Sequence, residues 1–559
     1  MKIFKRQLLT LHKKAERKKR LLYGLISGVL LGISFPPNPL PYFLFIALVP
    51  YLFILEKRDS LAEINRFTYY TAFFFCLISL YWVGSWTTEA DPFLMISGVL
   101  LVFFNPILFL IPSTLYYFTK KLLGKDIALF TLPLFWVTYE FAYTITDFRF
   151  PWLTLGNGLS YFKTYIQIAD KIGVYGISIL ILYVNVLLYK GIKHYFETKK
   201  IPILTSLIVI LLIIIPLIYG IIKISNYTDS TDKIKVGLIQ PNFNPVKRFE
   251  IGTAQDQLNI YFELSERAIA QGAEIVVWPE TAVPIYLLSG GYDYEVQLIH
   301  QFIDSNNVFL LTGMPDILYL DEREEIPIGA KTMSDGTFYT THNSILLFTP
   351  HSKEVQRYQK MLLVPFGEHV PLVEYIPFLG DLIKWNVGIS SWNVGKNIVN
   401  FKLDIKNKSD VDKLNKIGKD NIKINAVVCI ESIYPDFIAQ FIQKGADFIA
   451  IVTNDSWYSN SSGPYQHKEF ATLRAIENHR YVVRCALGGI SCIINPLGEV
   501  LADTKMFTRD VLVGEVGLET ELTFYTENPL LIPILVSIYS VWIIGMFFII
   551  KIKNKFAKN

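Results

Sequence analysis

Cysteine is scarce, four residues in 559. That excludes a disulfide framework, and no pair has the spacing of a zinc site, so no metal and no other cofactor is expected. Cys76 falls in an apolar segment, whereas Cys429, Cys485 and Cys492 fall in the polar part of the chain. Cys485 and Cys492 lie on a predicted strand pair and read as two buried thiols, with a bond between them as the open alternative. Net charge is also small, +4, so the placement of Lys and Arg matters more than their sum. The first apolar run, beginning at Leu21, is followed by F-P-P-N-P-L-P and no small-residue cleavage site. It therefore reads as an uncleaved span behind a basic tail, residues 1–20, and not as a signal peptide. Because that basic charge abuts a membrane segment, no nucleic-acid partner is expected. No internal repeat is evident.

Apolar residues are abundant instead. They make up 52% of the chain, and the mean hydropathy of +0.35 exceeds what a soluble protein carries. Apolar stretches recur at 21–36, 40–55, 67–86, 93–118, 126–145, 165–189 and 202–223, and again at 528–550. They read as about eight transmembrane helices, seven of them in a domain covering 21–223. Lys57, Arg58 and Arg66 follow the second stretch, Lys120, Lys121 and Lys125 the fourth, and Lys190, Lys193, Lys199 and Lys200 the sixth. By the positive-inside rule these loops, the N-terminal tail and the tail 551–559 are cytoplasmic, and the long segment after residue 223 is outside.

From about 234 to 516 the pattern changes to strands alternating with amphipathic helices, an α/β domain. Three polar residues stand beside its hydrophobic runs. E-I-V-V-W-P-E closes on Glu280, R-Y-Q-K-M-L-L-V-P-F-G-E carries Lys360 and Glu368, and I-N-A-V-V-C-I-E-S delivers Cys429 and Glu431. A lone cysteine among Val and Ile is more often an inert core residue. A carboxylate, an ammonium and a thiol, each held by a rigid element, are what covalent catalysis at a carbonyl needs. The thiol is the nucleophile, Glu280 the general base, and Lys360 the stabiliser of thiolate and oxyanion, with the backbone N–H of Ile430 as second donor. Trp278 and Pro279 are expected to shield Glu280 from water.

W-P-E-T-A-V-P, K-M-L-L-V-P-F-G-E-H-V-P and V-C-I-E-S, in that order, resemble the Glu-Lys-Cys triad of the nitrilase superfamily. F-P-W-L at 150–153, N-D-S-W-Y at 454–458, Q-H at 466–467 and R-A-I-E at 474–477 are similar to the apolipoprotein N-acyltransferase branch. The resemblance implies a four-layer αββα sandwich carried by membrane helices in the bacterial inner membrane, with the catalytic domain on the periplasmic side. It also implies a phospholipid acyl donor, a thioester on Cys429, and the N-terminal diacylglyceryl-cysteine of an apolipoprotein as acceptor. Glu368 and Glu431 match supporting acids. The chain departs from the family pattern at Ile430, at Phe249 and near Leu487, where an aromatic, a Trp and an Asn are common.

Arg149 and Trp152 in an outer loop are expected to bind a lipid head group, with aromatic anchoring at the membrane edge as the alternative, and Trp385 in the apolar stretch 375–387 is expected to dip into lipid, with core packing as the alternative. His467, Arg474, Glu477, Arg480 and Arg484 read as ion pairs that hold the fold, with head-group binding by some of them as the alternative. A monomer is expected. The alternatives are a membrane-anchored carbon–nitrogen hydrolase, which would use the same triad without needing seven spans, and a lipid-binding scaffold, which would need no intact triad.

Overall fold

The computed structural model describes residues 2–87, 92–244, 252–321, 326–327, 329–372, 392–403 and 421–556. Trp385 with its stretch 375–387, Phe249 and all but the last residue of the polar stretch 404–421, which reads as an insert, lie outside them.

The helix Lys2–Ile33 carries the basic tail into the first apolar run without a break. Among the described residues, five helices are long and apolar enough to cross a membrane: Leu61–Gly84, Leu94–Leu123, Ala169–Thr198, Ile203–Ser225 and Leu531–Lys553. These account for five of the eight apolar stretches read as spans. The apolar part of the first helix, 21–33, stops short of the roughly 20 residues that a bilayer core demands. The stretch 40–55 is a 3-10 turn, Pro41–Phe45, followed by the short helix Val49–Glu56. The helix Lys125–Thr144 carries Lys125, Asp126 and the buried Glu140. Ile203, Leu204, Ile215, Ile218 and Ile221 each leave more than half their surface exposed. Such a face is stable against acyl chains and not against water. The basic loops converge on one end of the bundle. The Lys120 ammonium donates to the carbonyls of Glu56 and Arg58 at 2.7 and 2.6 Å, and Lys125 and Lys193 pair with the Glu56 carboxylate.

The α/β domain holds thirteen strands among the described residues. In chain order they are β1 (Lys233–Gln240), β2 (Ile275–Trp278), β3 (Phe309–Tyr319), β4 (Lys331–Thr332), β5 (Phe338–Phe348), β6 (Val355–Gln359), β7 (Asn400–Leu403), β8 (Ile422–Val428), β9 (Phe448–Thr453), β10 (Val482–Ala486), β11 (Cys492–Ile494), β12 (Val500–Asp503) and β13 (Asp510–Gly517). One sheet has the order β13-β1-β2-β3-β5-β4 with β6 on β5, and the other β12-β11-β10-β9-β8-β7. The central strands β1–β3 and β8–β10 are parallel. Both of their faces are buried, which is why I-V-V-W and F-I-A-I-V-T run apolar without alternation. The sheets pack on each other. The helices Ala254–Ile269 and Asp293–Asn306 cover the first, and Pro435–Gln443 and Ser462–Asn478 the second, giving the αββα sandwich of a nitrilase-like fold.

A polar seam joins the two parts. The Gln466 side chain on Ser462–Asn478 accepts from the indoles of Trp82 and Trp152 at 3.1 and 2.6 Å and donates to the carbonyls of Pro36 and Ser79. Gly463 is required there, because a Cβ would sit 2.5 Å from the Trp82 ring. Nearby, Glu477 accepts from the N–H of Val174, and Lys163 pairs with Glu469. Trp82 has a second acceptor in the Ser79 carbonyl, whereas the Trp152 indole donates to Gln466 alone. In Gln466→Leu a buried donor loses its partner at a cost of about 1–3 kcal/mol. The variant is expected to inactivate at a lower temperature in detergent and to be cut faster by protease at the seam; wild-type behaviour in both assays would remove the seam from the stability argument.

Candidate active site

β8 ends at Val428, and the chain turns at once into a 3-10 helix, Cys429–Ile433. Cys429 makes that turn at φ 51°, in a left-handed conformation that costs a non-glycine residue about 1–3 kcal/mol and marks a side chain aimed for a purpose. It stays half-buried, whereas Cys76, Cys485 and Cys492 are buried and free, so Cys485 and Cys492 are not bonded to each other.

The other two members come from the first sheet. Glu280 follows β2 and packs so closely on β3 that a Cβ at Gly313 would lie 2.7 Å from its Cα. Lys360 follows β6, is 1% exposed, and has its backbone fixed by hydrogen bonds between its N–H and the Asn343 carbonyl and between its own carbonyl and the Gly395 N–H. Its ammonium lies 2.8 and 2.7 Å from the two oxygens of Glu368 and 3.7 Å from Glu280. Asn343 on β5 donates through Nδ2 to Glu280 at 2.9 Å and to Glu368 at 3.0 Å, bridging the carboxylates. Glu368 also accepts from the Val364 N–H, which holds its own loop.

Glu431 ties the two sheets together. It accepts from the N–H of Val428 at 2.9 Å, just before the thiol, and from the N–H groups of Met361 and Leu362 at 2.7 and 3.1 Å, just after Lys360. The Tyr358 hydroxyl adds a fourth donor at 2.7 Å. Four donors into one buried side chain fix it as an accepting carboxylate.

Burial dominates the electrostatics. It pushes the Cys429 thiol up, the charge of Glu280 adds to that, and Lys360 only partly opposes it, so the resting sulfur is a thiol. Lys360 pulls toward the thiolate but is outweighed by burial and Glu280, so attack calls for a base that takes the proton. Burial also raises Glu280, against the pull of Lys360. Burial alone would lower Lys360, but Glu368 and Glu280 outweigh it and hold the ammonium charged.

Trp278 does not wall Glu280. It faces the outer helix layer, stacking 4.5 Å from Tyr261 and donating to Ser265. Trp152, expected to contact lipid, is 4% exposed inside the seam, where its indole is used by Gln466 and its ring packs on Trp82 and Phe470. Arg149 is half-buried beside the active-site loop. Its neighbour Asp147 accepts from the Leu372 N–H and pairs with His369, Phe148 packs near Phe366, and the Tyr434 hydroxyl donates to the Arg149 carbonyl.

Sequence reasoning passed over Asn343 and Gly313, whose strands carry no motif. It also read Arg484 and His467 as fold-holding charges; they meet Asp455, the D of N-D-S-W-Y, directly behind Cys429. Donor atoms of Cys429, Asp455 and His467 lie within 4.8 Å of one another, the spacing of metal ligands. Arg484 sits on the Asp455 carboxylate and both ring nitrogens of His467 are engaged, so the cluster is a hydrogen-bond network and a poor cation site.

The sequence matches the carbon–nitrogen hydrolase family over residues 235–521 and the apolipoprotein N-acyltransferase N-terminal domain over residues 27–187. It is 33% identical to an apolipoprotein N-acyltransferase of Chlorobaculum tepidum, across 92% of this chain and 94% of that protein. It is 30% identical to one of Geobacter metallireducens, across 91% and 92%. Among solved structures, an amidase of the nitrilase superfamily from Nesterenkonia AN1 aligns with 54% of this chain and 95% of its own, at 17% identity and a TM-score of 0.34.

Replacing Glu431 by Leu strands three backbone N–H groups and a phenol, each costing about 1–3 kcal/mol if it stays buried. Glu431→Leu is expected to lower the temperature of thermal inactivation and to raise the accessibility of Cys429 to iodoacetamide, since the link between its turn and the Lys360 loop is gone. Unchanged labelling together with unchanged thermal behaviour would show that the turn holds without it.

Proposed function

The chain belongs to the apolipoprotein N-acyltransferase family, and on that premise we propose that Cys429, Glu280 and Lys360 move an acyl chain from a phospholipid to the N-terminal amine of a diacylated apolipoprotein. The observation that carries this reading is the site's composition: a half-exposed thiol on a left-handed turn, a buried carboxylate of raised basicity and a buried ammonium, on a domain joined to lipid-exposed helices.

In the first half-reaction the Cys429 sulfur attacks the ester carbonyl carbon while Glu280 takes the S–H proton. The oxygen becomes an oxyanion facing the Lys360 ammonium and the Ile430 N–H. Its collapse breaks the C–O bond of the ester. Glu280 returns the proton to the departing alkoxide, so lysophospholipid leaves and a thioester remains. In the second half-reaction the α-amine of the diacylglyceryl-cysteine attacks the thioester, Glu280 accepts an N–H proton and passes it to the departing sulfur, and an amide is formed. Glu368 stays on Lys360 throughout, which leaves Glu280 free to cycle.

Arg149, beside the loop that carries Glu368, is assigned to the phosphate of a lipid head group. The orientation proposed is the one the loop charges favour: the end of the bundle where Lys120, Lys125 and Lys193 gather around Glu56 faces the cytoplasm, and the α/β domain faces the periplasm of the inner membrane.

Two measurements test the reading. Because burial raises Glu280, its ionised form is lost as pH falls through a value above the ordinary glutamate pKa of about 4.3. Single-turnover acylation should therefore fall on the acid side at a pH higher than an unperturbed carboxylate would give. Glu280→Gln should slow it by about 10²-fold and abolish that limb. Lys360→Ala should cost on the order of 10²–10³-fold. Near-normal rates in either variant would reassign its role.

The second measurement is the acyl-enzyme itself. Protein incubated with phospholipid should gain one acyl chain on Cys429, release lysophospholipid and lose the label to neutral hydroxylamine. A diacylated lipopeptide with a free amine should then receive the chain as an amide, and its N-acetylated form should not. Cys429→Ser should block transfer, since a serine oxygen ester resists the amine. A wild type that turns phospholipid over without ever carrying the chain would exclude the covalent route, and discharge to water in place of the amine would favour a hydrolase.

A further inference from the structure

The carbonyl oxygen of Cys429 is gripped from behind. The Ser432 hydroxyl donates to it at 2.7 Å, and His467 Nε2 lies 3.1 Å from it. Nε2 also lies 3.0 Å from the Ser432 hydroxyl; because that hydroxyl donates to the carbonyl and the carbonyl only accepts, Nε2 carries a hydrogen that is shared between the two oxygens. His467 is held in turn through Nδ1, 2.9 Å from Asp455 Oδ1 and 3.2 Å from the Arg484 guanidinium. Arg484 pairs with the other Asp455 oxygen. The charge of Arg484, with the hydrogen bond from His467, overrides burial and holds the Asp455 carboxyl well below the usual range, so it is an anion. Ser432, Asp455, His467 and Arg484 are 1, 2, 2 and 0% exposed, too deep for any of them to touch a substrate.

Four buried polar side chains converging on one carbonyl have a geometric consequence. The Cys429 carbonyl and the Ile430 N–H belong to one planar trans peptide and point in opposite directions. Fixing the oxygen fixes the hydrogen. Ile430 is the second residue of its 3-10 turn, so its N–H has no acceptor within the turn. The left-handed φ of Cys429 is a strained state that persists only when its surroundings determine it, and the two donors on its carbonyl are such a determinant.

We propose that Ser432 and His467, backed by Asp455 and Arg484, are positioning residues that preset the oxyanion hole: holding the Cys429 carbonyl turns the Ile430 N–H toward the acyl oxygen, opposite Lys360. The inference rests on the acyl-enzyme reading of Cys429 and not on the identity of the lipids. His467 also lies near the sulfur, but both of its ring nitrogens are occupied, so the role assigned to it is orientation and not proton transfer.

The test uses the full-length protein in detergent with two probes of Cys429, the other cysteines being buried. p-Nitrophenyl butyrate reports acylation as a nitrophenolate burst, and it needs the oxyanion hole. Iodoacetamide reports attack at a saturated carbon, and it does not. In His467→Ala the burst rate should fall about 10²-fold and in Ser432→Ala about 10-fold, while alkylation stays within about threefold of wild type. His467→Gln, whose amide N–H can still reach the carbonyl, should recover most of the burst. Wild-type burst rates in both alanine variants would overturn the proposal. So would a fall in alkylation equal to the fall in burst, which would place the network on the thiol instead. If His467→Ala does not fold, Ser432→Ala decides alone by the same two readings. A wild type that reacts with the nitrophenyl ester but never with phospholipid would sink the lipid reading and leave this one standing.

Discussion

One buried ammonium sets the terms for the rest of the site. Moving a Lys head group out of water costs several kcal/mol unless charge and hydrogen bonds replace the lost hydration. Lys360, 1% exposed, is compensated by Glu368 at 2.7–2.8 Å and by Glu280 at 3.7 Å. The inequality of those distances divides the labour. Glu368 is spent on the cation and on its own loop. Glu280 feels the same cation more weakly and is buried besides, so its basicity rises and it is the carboxylate able to carry a proton. Asn343, donating to both, keeps the two from drifting into equivalent positions.

The second constraint is that thiol and ammonium arrive from different sheets. Cys429 follows β8 of the second sheet; Glu280 and Lys360 follow β2 and β6 of the first. Two packed sheets alone would fix their relation only as well as side chains interdigitate. The Glu431 carboxylate replaces that loose relation with hydrogen bonds running from Val428 to Met361 and Leu362. Such a link is short, charge-assisted and directional, which is what holding reacting groups to within a fraction of an ångström demands.

Much of this was legible in the sequence, for physical reasons. Unbroken apolar strands ending in a polar residue announce a parallel sheet that presents chemistry at its edge, and Cys429 and Glu280 stand at such ends, whereas Lys360 follows the short, polar, antiparallel β6. What stayed hidden depends on contacts between distant segments. Nothing around Asn343 distinguishes it from any other polar residue of a strand. Trp152 sits in an outer-loop motif that reads as a membrane anchor, yet a glutamine over three hundred residues away buries its indole. Of the eight apolar stretches, five form helices long and apolar enough to cross a membrane among the described residues, whereas 40–55 folds as a 3-10 turn and a short helix because its prolines break it.

The protonated resting state of Cys429 bears on selectivity. A standing thiolate reacts with any electrophile that reaches it, whereas a thiol buried beside an anionic carboxylate gains nucleophilicity only as its proton leaves. On the proposed acyl-enzyme route, the free energy for that transfer would come from the far side of the reaction, where an oxyanion would form against Lys360 and the Ile430 N–H. Reactivity is thereby tied to the presence of a correctly placed carbonyl oxygen. A catalyst lying against a membrane is surrounded by ester carbonyls at high local concentration, and proximity alone would not discriminate among them. Coupling proton removal to oxyanion geometry makes the thiol inert toward esters that approach at the wrong angle.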